Sequence, residues 1–69
     1  NGLVHILDYK PDAYFKQTQE QAIKQLTIYA LALSSRTKLG LTDLKCAFFD
    51  ENNYYEFFPF HAVNPRSKN

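Results

Sequence analysis

This 69-residue chain has one cysteine, two glycines, and no methionine or tryptophan. A lone Cys46 cannot form an internal disulfide, and no CxxC pair or Cys/His cluster suggests zinc or iron–sulfur. With only Gly2 and Gly40, no glycine-rich phosphate loop exists. No apolar run approaches the ~18 residues of a membrane span, and no signal-peptide pattern is present. The charge balance is eight Lys and Arg against seven Asp and Glu, a net of +1. Bulk charge therefore gives no argument for a polyanionic partner. These absences lead us to expect a cytoplasmic chain in a reducing setting, with no membrane partner. There is no initiator methionine before Asn1, and we expect a piece of a larger protein.

What is present is a globular composition. Hydrophobic residues make up 45%, too many for a disordered segment. Seven of the 11 aromatic residues crowd into positions 48–60: Phe48, Phe49, Tyr54, Tyr55, Phe57, Phe58 and Phe60. So short a chain cannot easily cover them all, so either another segment packs there or they face a partner.

Positions 3–10, LVHILDYK, read as a strand rich in branched residues. Alternation puts Val4, Ile6, Asp8 and Lys10 on one face and Leu3, His5, Leu7 and Tyr9 on the other. Both faces are mostly apolar, which predicts a strand covered on both sides. Pro11 lacks an amide hydrogen and should end the pairing. Asn1-Gly2 is a favoured hairpin turn and implies a strand before it. After a loop at 11–17, Thr18 with Gln21 three residues later predicts a capping box, and Glu20 suits a helix start. Ala22, Leu26, Tyr29, Ala30 and Leu33 recur at helical spacing, widened by Ile23, Ile28, Leu31 and Ala32. The helix is expected over about 19–37, with Arg36 and Lys38 near its end and Gly40 as a stop. Positions 43–50 and 53–60 read as two further strands joined by an Asp50-Glu51-Asn52-Asn53 turn. Pro59 suits an edge or strand end. The expected fold class is α/β: a small mixed β-sheet in βαββ order with one long helix packed on it.

Chemistry concentrates at two places. Asp8 and Lys10 share one face at a strand end, and their ordinary role is a solvated ion pair. Their other role is chemical. A carboxylate can hold Mg²⁺ or Mn²⁺, and an ammonium can stabilise charge on a phosphate or orient the attacking water. Gln25 and Tyr29 are four residues apart and stack on one helix face. Gln25 can bond a phosphate, a base edge or a metal-bound water, and Tyr29 offers a ring and a hydroxyl. Taken alone, Tyr29 reads as core and Gln25 as a boundary residue.

Together, ILDYKPDA and KQLTIYALAL resemble the metal-binding strand and the QxxxY helix of the RecB-like branch of the PD-(D/E)XK nuclease superfamily. The resemblance covers roughly residues 1–60, and the following strand pair also fits. It implies a partial restriction-endonuclease-like core and metal-dependent cleavage of DNA. Asp8 would be a catalytic, metal-ligating acid, and Lys10 the lysine beside the nucleophilic water and scissile phosphate. Gln25 and Tyr29 would position the substrate. Tyr9 would point to the opposite face and pack. The cofactor would be Mg²⁺ or Mn²⁺. DNA would be the partner, in a setting such as DNA repair, with a helicase as a candidate second partner.

One departure from the family pattern matters. The family places another acid on the strand before this one, often in a Gly-x-x-Asp setting, and none precedes Val4 here. Pro11-Asp12 carries the right letters in the wrong place. Residues 1–61 are thus expected to be the C-terminal portion of a nuclease domain, and 62–69 a tail or linker. Alone the piece should be inactive or nearly so and hold no metal. The alternative class is non-catalytic: a nucleic-acid-binding or protein-docking βαββ module that uses Lys10, Gln25 and the exposed aromatics. His5 reads as a packed or boundary residue, Cys46 as core and Asp50-Glu51 as a solvated turn, and His61 has no assigned role.

Overall fold

The computed structural model describes residues 2–63. Asn1 and positions 64–69 lie outside the described residues, and with them half of the expected Asn-Gly turn and most of the expected tail. Strand β1 runs Val4–Tyr9, helix α1 Lys16–Arg36, strand β2 Leu44–Phe49, strand β3 Tyr54–Phe57 and helix α2 Pro59–Val63. A short 3₁₀ turn, Leu41–Asp43, precedes β2. The result is a small mixed α/β domain with a three-stranded sheet and two helices, one of them long.

The sheet order is β1-β2-β3, with β1 parallel to β2 and β2 antiparallel to β3. Ile6 lies beside Cys46 and Asp8 beside Phe48, and Phe48 in turn lies beside Tyr55. The parallel ladder gains one last bond, from the Lys10 amide to the Phe49 carbonyl at 2.7 Å. Pro11 has no amide to continue it.

The core lies between α1 and one face of the sheet. Ala22, Leu26 and Ala30 form one line down the helix and are buried against Ile6, Leu44, Cys46 and Phe48. Two alanines in that line let the helix approach the sheet closely. Cys46 is fully buried, as its place in the strand predicts. Burial pushes its thiol up to about 11, so it is a packing residue rather than a nucleophile.

Several expectations need correction. Helix α1 starts earlier than the capping-box pattern predicts. Phe15 is its N-cap, with no side-chain cap bond, and Thr18 sits inside the first turn. The cause is a tight turn in the preceding loop: the Phe15 amide bonds the Asp12 carbonyl at 3.1 Å, and Asp12 takes a left-handed φ of 63°. The helix stops at Arg36, and Gly40 instead opens the 3₁₀ turn. Pro59 does not end a strand. It opens α2, where its missing N–H costs nothing, so the expected third strand is shorter. Helix α2 also takes up Ala62 and Val63.

The outer face of β1 is open among the described residues: Leu7 is 59% and Tyr9 47% exposed, and His5 is exposed as well. One helix covers one face only. Ile23, Ile28, Leu31 and Ala32 do not widen the buried stripe but lie exposed. The 21-residue α1 is not apolar enough to cross a membrane, nor is any other described helix.

Thr27 is buried beside that flank, and its hydroxyl has no hydrogen-bond partner among the described residues. Thr27→Val keeps the shape and removes an unsatisfied polar group. It should stabilise the domain by about 1 kcal/mol, since an unpaired buried hydroxyl carries its desolvation cost unrepaid. A chemical-denaturation midpoint that falls on this substitution would show that Thr27 has a bonding partner after all.

Candidate functional site

Asp8 lies near the C-terminal end of β1 with Lys10 just beyond it, and Gln25 and Tyr29 come from the third and fourth turns of α1. The fold brings all four sequence-predicted residues to one place. Lys10 Nζ lies 3.3 Å from Asp8 Oδ2 and donates to Gln25 Oε1 at 2.6 Å. Asp8, Gln25 and Tyr29, with Ile6, Leu7 and Leu26, line an open cleft of about 360 Å³.

Helix geometry explains the convergence. Gln25 and Tyr29 sit on the line next to Ala22, Leu26 and Ala30, turned by one residue. When the alanine line packs on the sheet, its neighbour is left at the edge of the interface, over the end of β1. Tyr29 is therefore not core, as its apolar periodicity alone would place it, but 60% exposed on the cleft wall.

The chemistry of the cluster follows from donor counts. An ammonium has three N–H donors. Two are directed at Asp8 and Gln25, and one is left for a phosphate oxygen or a water. Gln25 uses its carbonyl oxygen on Lys10, which turns its NH₂ group outward as a donor. Asp8 contributes the cleft's one carboxylate. Mg²⁺ is commonly held by one or two carboxylates together with waters and substrate phosphates. Asp8 fits the first part of such a set. Among the described residues no group of three His, Cys, Asp or Glu side chains is placed to complete it.

Tyr9 points to the face away from the cleft. Its ring meets Phe49 edge-on at 5.7 Å, and its hydroxyl donates to Glu51 at 2.5 Å. That hydrogen bond raises the phenol above its ordinary range. His5 lies on this outer face too, across from Lys45, whose ammonium meets Glu56 at 2.7 Å.

Asp50 is the residue that the sequence undervalued. It is more than a solvated turn. Its Oδ1 accepts from the amides of Asn52 at 2.9 Å and Asn53 at 2.8 Å, and from Asn53 Nδ2 at 3.1 Å. Its Oδ2 accepts the Ala13 amide at 2.9 Å, across 37 residues of sequence. The D-x-N-N spacing could have signalled the local turn. Nothing local signals Ala13.

The Asn52 amide above all, with Asn53 and Ala13, holds the Asp50 carboxyl below its ordinary range, against a smaller upward push from burial. The stabilisation is thus complete above the unfolded carboxylate pKa of about 4. It is lost as pH falls through the lower folded value. The gap in melting temperature between the wild-type chain and Asp50→Asn should therefore be full at neutral pH and shrink as pH drops from about 5 to about 2. A gap that stays constant with pH would show that Asp50 acts by shape alone.

No protein-family model, curated protein or solved structure matches this chain.

Proposed function

We propose that this chain is part of a metal-dependent DNA nuclease domain of the RecB-like PD-(D/E)XK type. One observation carries the reading: Lys10 Nζ is held between Asp8 and Gln25, which line one cleft with Tyr29. The motifs that suggested the family lie 15 residues apart in sequence, from Lys10 to Gln25, and meet through a direct hydrogen bond. In this reading Asp8 would ligate Mg²⁺ or Mn²⁺, which when bound would activate water and shield phosphate charge. Lys10 uses its remaining donor on the scissile phosphate or on the attacking water. Gln25 donates its NH₂ to the nucleic acid, and Tyr29 presents a ring to a sugar or base. A second carboxylate is required, from a segment that pairs with the outer edge of β1. Among the described residues β1 pairs only with β2, so that edge can take another strand.

The test is cleavage of end-labelled single- and double-stranded DNA by the longest natural protein containing this domain, with Mg²⁺, Mn²⁺ or EDTA. Metal-dependent cleavage abolished by Asp8→Asn supports the reading. Cleavage that survives Asp8→Asn, or no cleavage with either metal, sinks it.

A second reading keeps the nucleic acid and drops the chemistry. It is favoured by the exposed rings of Tyr14 and Phe15, which pack against each other at 4.3 Å on the loop that follows Lys10. Exposed aromatics of this kind can stack on bases. Salt-sensitive DNA binding unaffected by EDTA, without cleavage, would single it out.

A further inference from the structure

We propose that Asp50 is a positioning residue for Lys10: its carboxylate ties the β2–β3 turn to the loop on which Lys10 stands. The placement needs only the fold. The chemical use of Lys10 rests on the nuclease reading above.

The loop after β1 has little to hold it by itself. It contains Pro11, which donates no hydrogen bond, and Asp12, which takes the left-handed φ that non-glycine residues disfavour. Such a conformation persists only where its surroundings enforce it. Two bonds flank it. Before it, the Lys10 amide reaches the Phe49 carbonyl; after it, the Ala13 amide reaches Asp50 Oδ2. Both acceptors lie at the end of β2, in consecutive residues. Ala13 itself is fully buried, so its amide cannot turn to water if Asp50 is lost.

Asp50 is in turn held by the hairpin. Its other oxygen takes three donors from Asn52 and Asn53, and its own amide bonds the Asn53 carbonyl at 2.9 Å. The two oxygens thus divide most of the work: Oδ1 takes the turn's shorter bonds, and Oδ2, with one longer contact from Asn53 Nδ2 at 3.4 Å, reaches the loop. The Tyr9 hydroxyl on β1 feels the Asp50 charge together with those of Glu51 on the turn and Asp12 on the loop. The hydrogen-bond partners of Asp50 itself are all neutral amides. A fixed loop fixes the backbone from which Lys10 reaches Asp8 and Gln25.

The division between the oxygens supplies a selective variant. Asp50→Asn keeps an oxygen for the turn but places an NH₂ group against the Ala13 amide, donor against donor. The experiment is NMR of the full 69-residue chain, reading the Ala13 amide and the Lys10 ammonium resonance. In D50N the Ala13 amide should exchange roughly tenfold faster, the worth of one hydrogen bond to a charged acceptor. The Lys10 ammonium signal, sharp while bonded to Gln25, should broaden or vanish, and amides along the buried line of α1 should keep their protection. A freed Ala13 with an unchanged Lys10 signal overturns the inference, and so does an Ala13 amide that does not respond.

If D50N unfolds the chain, acid titration of Asp8→Asn replaces it, a background in which Asp8 cannot titrate. There the Ala13 amide and the Lys10 signal should change together with the Asp50 carboxyl carbon. Separate midpoints overturn the inference. Nuclease activity is not read in either arm, so a protein that cleaves nothing leaves this test intact.

Discussion

Phe48→Ala should cost the domain at least a third of its stability. Phe48 is 2% exposed in the central strand, and its ring stacks on Tyr55 at 5.2 Å between centroids. It faces α1, between the ends of β1 and β3, so no single element can move in to fill the gap. Removing a buried Phe costs about 3–5 kcal/mol through lost transfer energy and the cavity left behind. A domain of this length has a total stability of roughly 3–10 kcal/mol. The substitution therefore takes a third of the stability or all of it. A urea melt followed by circular dichroism checks this, with Tyr54→Ala as control, since Tyr54 is 55% exposed and its loss should cost under about 1 kcal/mol. A Phe48→Ala chain that melts within about 1 kcal/mol of wild type would show that the core is not organised around this ring.

Lys10→Met should lower DNA cleavage by the longest natural protein roughly 10²–10³-fold, the usual cost of losing one donor aimed at developing charge. The loss should fall on kcat more than on KM, because the donor is worth most in the transition state. Stability should change by less than about 1 kcal/mol, as the 3.3 Å pair with Asp8 is partly exposed and screened. That combination distinguishes a chemical role from a structural one. Lys10→Arg should rescue poorly, since a planar guanidinium cannot stand where a compact ammonium fits between Asp8 and Gln25. Cleavage undiminished in Lys10→Met would refute the assignment.

The stability contrast between these two substitutions reflects how the chain divides its surfaces. Phe48 and Lys10 lie near the ends of two neighbouring strands, β2 and β1. Phe48 points at the helix, whereas the Lys10 ammonium reaches Gln25 at the helix edge.

The sequence by itself determined the main elements and the pairing of roles. Branched residues at Val4 and Ile6 specified β1, and the Ala22, Leu26, Ala30 line specified the buried side of α1. The four-residue spacing of Gln25 and Tyr29 put them on a common line, and alternation put Asp8 and Lys10 on a common face. These are local periodicities, and local geometry enforces them. Tertiary structure alone decided which apolar residues are buried. With one helix and one sheet, each element has a single covered side, so Leu7, Ile28 and Tyr29 stay exposed despite their apolar character. The start of α1 also escaped sequence reading. It is set by the bend at Asp12 and the anchor at Ala13, which depend on a carboxylate 37 residues away. Pairing of Lys10 with Gln25, and of Asp50 with Ala13, arises only when β1 is laid parallel to β2 and α1 across them. Distance along the chain carries no record of either contact, because both are made by the packing of elements rather than within any one of them.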